Sequence, residues 1–280
     1  MFRQMFSKQF LLDLKREVSE DNVFNCAAAL GFYLTLSIFP AITLIMTVIP
    51  YLPIEDVDEA IMGLLGDAMP DESRDMIEEV VNDVTSERRG GLLSFSLLAA
   101  LWATSTGMYA IMQQLNITYD VKEARSFLHA RAIALVLSLV FGLLMLGAFM
   151  LIVLGGVLQD WVGETLDFGG VSLLLVAVFR WLVIVGALLL AFSMIYRYAP
   201  NVERKFAILT AGSVLGVVML ILASLGFAFY ASNFADYSAT YGSIGAVIML
   251  MLWLYIAGLV ILLGSEINVL LERYSSRGIS

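Results

Sequence analysis

Residues 241–268 read YGSIGAVIMLMLWLYIAGLVILLGSEIN. From Ile244 to Gly264 the run carries no charge. At ~1.5 Å of rise per residue, a helix of this length crosses the ~30 Å hydrocarbon core of a bilayer. The run then meets a carboxylate, Glu266, and an amide, Asn268. A long apolar helix closed by polar groups places the chain in a membrane. Its specific chemistry is then expected where polar groups meet that membrane.

Composition extends this reading to the whole chain. Of 280 residues, 60% are apolar and 15% charged, and the mean hydropathy is +0.87. Soluble domains carry about a quarter charged residues, so an all-α polytopic membrane protein is expected. A single cysteine, Cys26, excludes an intramolecular disulfide and a cysteine-built metal site. A single histidine, His129, argues against a histidine-based metal centre. No metal, no cofactor and no catalytic residue is therefore expected. The net charge of −9 argues against nucleic acid as a partner, which would need a broad basic face. Residues 1–24 are polar and charged, and no small-residue cleavage site follows, so the first apolar run is expected to stay as an anchor.

Hydropathy and breaks in it predict six spans, at about 25–52, 92–113, 132–158, 171–198, 206–230 and 243–268. Ahead of them, Phe2, Phe6, Phe10, Leu14 and Val18 recur every four residues, with Lys8, Lys15, Arg16 and Glu17 between. This is an amphipathic helix within 1–24, lying either at the membrane surface or on the protein itself. In the first span Ala29, Tyr33 and Ser37 share a face, and Pro40 interrupts the helical ladder. Residues 53–90 hold twelve acids against three bases, with two apolar stripes at helical spacing divided by Pro70. They are expected to form two short helices in an acidic cap. The second span carries Trp102, Thr104, Ser105, Thr106 and Gly107, small and hydroxylated residues suited to close helix packing. Arg180 lies inside the fourth span, where it must snorkel, pair or face a cavity. Gly142, Gly147, Gly155 and Gly156 suit helix pairing within or between chains, which allows a homo-oligomer.

Basic residues set the orientation. Arg3, Lys8, Lys15, Arg16, Lys122, Arg125, Arg131, Arg197, Arg204, Lys205, Arg273 and Arg277 all fall on one side of a six-span chain. Arg74, Arg88 and Arg89 fall on the other. The excess marks the cytoplasmic side, so both termini and the tail 272–280 are expected there and the acidic cap outside.

Three segments carry a resemblance. The first is CAAALGFYLTLSIFP at 26–40. The second runs from Leu101-Trp102 through Asn116 and Tyr119 to Arg125 and Arg131. The third joins Tyr198-Ala199-Pro200-Asn201, Tyr230, Tyr241-Gly242, Trp253-Leu254-Tyr255 and Gly264-Ser265-Glu266-Ile267-Asn268. In order and spacing they resemble the YihY/BrkB family of bacterial inner-membrane proteins, once misnamed ribonuclease BN. The acidic loop 53–90 matches least well. The resemblance implies a multi-pass protein of the bacterial inner membrane with six helices, and it leans towards transport or handling of envelope lipids.

The function expected from the residues is that of a transporter or flippase-like protein for an amphiphile or small solute. Its pathway candidates are Tyr33, Ser37, Pro40, Arg180, Glu266 and Asn268. Glu266 is the candidate proton or cation carrier; the plainer role for it is to cap the sixth span or pair with Arg131 or Arg197. Arg125, Arg131 and Arg197 are candidates to bind lipid phosphate. The rival reading is a non-transporting scaffold or regulator of envelope assembly that works through the acidic loop. An enzyme, a ribonuclease included, is not expected: no nucleophile–base pair stands out, and most carboxylates lie on the outer side.

Overall fold

The structure is a computed structural model that describes residues 7–48, 90–153, 170–202, 207–233 and 235–276. The expected acidic cap falls outside the described residues, as do Gly155 and Gly156. Among the described residues every regular element is an α-helix. They are α1 (Lys8–Glu20), α2 (Val23–Val48), α3 (Gly90–Thr118), α4 (Phe127–Val153), α5 (Gly170–Tyr198), α6 (Ala211–Asn233) and α7 (Ala235–Ser276).

Helix α1 shows how local sequence sets an element. Ser7 caps it, its Oγ accepting from the Phe10 N–H at 3.1 Å. Phe10, Leu14 and Val18 then repeat on one face. Phe10 and Val18 are buried and Leu14 packs on the core beside them. Of the two placements open to this helix, its apolar stripe takes the protein surface, against α7 and α2. The helix stops at Asn22, whose φ of 51° is left-handed and well suited to asparagine.

The six long helices close a ring. Each packs on its neighbour in sequence from α2 to α7, and α7 packs back on α2. Helix α7 also touches α3. Helices α2 and α7 run antiparallel and close together: a Cβ on Gly31 would sit 3.1 Å from the Tyr255 nitrogen, and Gly258 faces Leu30. Among the described residues four helices are long and apolar enough to cross a membrane, over Phe127–Ala148, Val176–Tyr198, Ala211–Ser232 and Val247–Ser276. Val23–Ser37 is a shorter apolar stretch of α2.

Helix α7 differs from its expected bounds. Instead of closing near 268 it is continuous over 42 residues, about 60 Å at the usual rise and roughly twice the hydrocarbon thickness. Its surplus length continues to Ser276, where Leu270, Leu271 and Tyr274 are buried against Phe10 of α1 and Ala211 of α6. The buried core is concentrated at this end, where the start of α2 and the ends of α3 and α5 meet the second half of α7.

Candidate functional site

Glu266 is 1% exposed and sits at this packed end. The Thr118 hydroxyl, at the last residue of α3, donates to its Oε1 at 3.0 Å. Asp21, in the turn between α1 and α2, brings a second carboxyl beside it. Glu17 completes the group, and one oxygen from each of Glu17, Asp21 and Glu266 lies within 4.8 Å of the others.

The surroundings hold these carboxyls in place. The Gln114 amide donates to the Asp21 carbonyl at 3.1 Å. Arg273 reaches Glu17 at 2.9 Å and Asp120 at 2.5 Å, so the nearest base is spent on other acids. Burial pushes the Asp21 carboxyl above its ordinary value, and the charges of Glu17 and Asp120 add to the push. The charge of Arg273 works the other way. Three carboxyls with a hydroxyl beside them can hold a proton or coordinate a cation. The sequence argument against a metal site weighed cysteine, histidine and the acids of 53–90, and did not bring together the carboxyls supplied by α1, the following turn and α7.

The structure separates the candidates named from sequence. Glu266 and Asn268 share an end of α7 but face different helices. The Asn268 Oδ1 accepts from the Gly212 N–H at 2.7 Å, at the start of α6. Its Nδ2 is buried without a partner, as is the Ser265 hydroxyl one turn earlier. Glu266 does not cap the helix, which continues to Ser276. Its partners are Thr118 and Asp21, whereas Arg131 contacts Ser105 and Thr106, and Arg197 donates to the Val202 carbonyl. Tyr33 is exposed beside Phe32, and the Ser37 hydroxyl donates to its own helix at the Leu34 carbonyl. Pro40 lies within α2, which stays helical through it. Arg180 is 18 residues before the end of α5, about 27 Å along the axis. Its Nε is buried without a partner and its guanidinium lies 6.0 Å from the Trp181 ring.

A second polar network at the same end joins two loops. The Arg125 guanidinium grips both oxygens of Glu123 at 2.7 Å and donates to the carbonyls of Tyr198 and Ala199. Asn116 donates to Glu123 at 3.0 Å and accepts from the Asn201 N–H at 2.7 Å. Hydrogen bonding from Arg125 holds the Glu123 carboxyl below its ordinary value. Arg125 thus serves protein oxygens from the 198–201 turn. Thr118, Asp21, Glu17 and Gln114 had no signal of their own in the sequence. Only the nearness of Thr118 to Asn116 in the second matching segment hinted at them.

The chain matches known sequences over nearly its full length. The family described as Virulence factor BrkB matches residues 14–279. A ribonuclease-like protein of Bacillus subtilis, YfkH, is 37% identical over 88% of this chain and 89% of its own. A UPF0761 membrane protein of Vibrio campbellii is 26% identical over 95% of this chain and 82% of its own. Another, from Pseudoalteromonas atlantica, is 24% identical over 91% and 83%. No solved structure matches. With a family match spanning its residues and helices fit to cross a bilayer, this chain is an integral membrane protein and belongs to the Virulence factor BrkB family.

Proposed function

We propose that the chain is a six-span protein of the bacterial inner membrane, with both termini in the cytoplasm, that moves an amphiphile or small solute across it. Helices α2 and α3, of 26 and 29 residues, supply the two spans beyond the four plainly apolar ones. The basic loops then share the cytoplasmic side with the carboxyl cluster. The observation that carries the transport reading is the close pair of carboxyls, Glu266 and Asp21, with Glu266 buried among the helices and no base paired with it among the described residues. A carboxyl pair of this kind takes up and releases a proton or cation as its surroundings rearrange, which is the chemistry a coupled carrier needs.

The experiment uses purified protein in liposomes with a fluorescent phosphatidylglycerol as the probe. Faster loss of label from the outer leaflet than in empty vesicles, dependent on an imposed pH gradient, is expected. In Glu266→Gln the gradient dependence disappears. Vesicles with protein that match empty ones overturn transport of this lipid, and a Glu266→Gln protein with full gradient dependence overturns the coupling role.

The acidity of residues 53–90 favours a second reading, a scaffold or regulator of envelope assembly. Deleting 55–87 separates the two, because a scaffold loses its partner while a carrier keeps substrate binding in its spans. An enzymatic role is not proposed. Glu266 is too deeply buried to meet the backbone of an RNA, and "ribonuclease-like" is said of the Bacillus protein. Pairing between copies is favoured over pairing within the chain at Gly142 and Gly147, because nothing lies within 4 Å of a Cβ at either.

A further inference from the structure

We propose that Arg131, with the face of α3 against it, is a headgroup site for an anionic phospholipid. Arg131 lies one turn into α4. Trp102, Ser105, Thr106 and Tyr109 follow the three-and-four spacing of a single face of α3, and all four meet its guanidinium. The Trp102 ring centre is 4.6 Å away, that of Tyr109 4.7 Å, and that of Phe127 from α4 itself 5.6 Å. These are cation–π distances. Nη1 donates to the Ser105 and Thr106 oxygens at 3.3 and 3.1 Å. Both hydroxyls give their own protons to the Trp102 carbonyl, which fixes their lone pairs for the arginine.

The cage holds the cation without neutralising it. Among the described residues no carboxylate pairs with Arg131, and its Nε is buried without a partner. A full charge beside an apolar span is costly when left in that state. Arg125, six residues earlier, has both a carboxylate and carbonyls, so its charge is answered by the protein. What Arg131 lacks is an anion, and a phosphodiester fits a guanidinium edge well. The surroundings select a lipid phosphate over a free one. Trp102 is 59% exposed, and Leu98 one turn away on α3 and Phe127 and Leu128 at the start of α4 are exposed too. Aromatic rings around a cation at the start of an apolar span, with exposed apolar side chains on α3 and α4, suit a lipid whose chains run down the outside of those helices. This assignment rests on the chain being a membrane protein and is independent of whether it transports anything.

Native mass spectrometry of the full chain in mild detergent tests it, with phosphatidylglycerol and phosphatidylcholine titrated separately. The wild type is expected to hold one phosphatidylglycerol about tenfold more tightly than phosphatidylcholine, the worth of one charge-assisted contact. Arg131→Ala is expected to abolish that preference, and Arg131→Lys, which keeps charge but loses the planar fork, to retain part of it. Thr106→Val tests the cage should Arg131→Ala not fold, and is expected to reduce the preference severalfold. Equal binding of the two lipids by the wild type overturns the site, as does an unchanged preference in Arg131→Ala or, failing that variant, in Thr106→Val. Full displacement of the lipid by millimolar inorganic phosphate reassigns the site to a free anion and overturns the lipid assignment.

Discussion

The two halves of α7 share a helix but not an environment. In the first half Val247, Ile248, Leu250 and Leu252 are exposed. In the second, Ile261, Leu262, Ile267, Leu270 and Leu271 are buried. Hydropathy does not separate these sets, since all are aliphatic. What separates them is whether the partner is lipid or protein. The half that packs on protein is also the half with Glu266 and Asn268, whose oxygens accept from Thr118 and the Gly212 N–H, because polar groups need fixed partners that a bilayer cannot supply. One continuous helix can therefore serve as a greasy anchor along one stretch and as the spine of a polar site along the next.

The comparison can be broken most directly with glycines. A side chain at Gly212 would collide with the Gly264 carbonyl and the Asn268 amide, whereas nothing lies within 4 Å of a Cβ at Gly226. Gly212→Val is expected to cost ~3 kcal/mol or more and to prevent recovery of folded protein, by analogy with overpacked cores. Gly226→Val should leave the thermal midpoint in detergent unchanged. A well-folded Gly212→Val protein would refute the close α6–α7 contact.

Side-chain truncation gives the next largest contrast. Phe10→Ala removes a buried ring that meets Tyr274 edge-on at 5.7 Å, and should cost ~3–5 kcal/mol. Ile248→Ala, on the lipid-facing half, should stay within ~0.5 kcal/mol. Reversible unfolding in mixed detergent would measure both, and similar losses at the two sites would mean that the first half is covered as well.

Smaller effects sharpen the polar end. Thr118→Val removes the only hydroxyl donor to Glu266 that the structure shows among the described residues. It is expected to cost ~1–2 kcal/mol, the price of one buried hydrogen bond, read from the same unfolding curves. An unchanged midpoint would place the Thr118 contact outside the stabilising network.

The smallest expected change is a biphasic response to pH. Asp21 titrates above its ordinary value because of burial, so the folded state binds its proton before the unfolded state does. Stability from that group rises as pH falls through its folded value and levels off below the unfolded one. Glu123 is held down by Arg125, so its contribution is present above the unfolded value and is lost as pH falls through the lower, folded one. The thermal midpoint should therefore rise on mild acidification and then fall. Asp21→Asn should remove the rise, and Arg125→Ala should weaken the fall. A midpoint that only declines from neutrality would count against the raised Asp21.

Much of the helix content was legible in the sequence, because long apolar runs carry their own signal. Glu266 and Asn268 stood out by ending such a run. Their roles did not, since the run's end is not the helix's end: Val269, Leu270 and Leu271 continue an apolar stripe onto protein. The partners of Glu266 come from 148 residues upstream at Thr118 and from the first turn of the chain at Asp21. Periodicity reports which face a residue shares with its own neighbours and nothing about which face of another helix it will meet. Arg131 illustrates the same limit, because the stripe formed by Trp102, Ser105, Thr106 and Tyr109 is visible in sequence but the cation that docks on it is not.

The ring also sets an order of assembly. Helices α2 to α6 can each settle against a predecessor as they emerge, since every one packs on its neighbour in sequence. Closure waits for the last helix, which must find α2, and α1 must in turn find the last helix through Phe10 and Asp13 on Tyr274. Helices α1 and α7 are thus the two sides of one clasp. Glu266 and Asn268 meet Thr118 and the Gly212 N–H only when that clasp shuts, so a chain that stops before α7 holds the partners of the polar centre without its two central side chains.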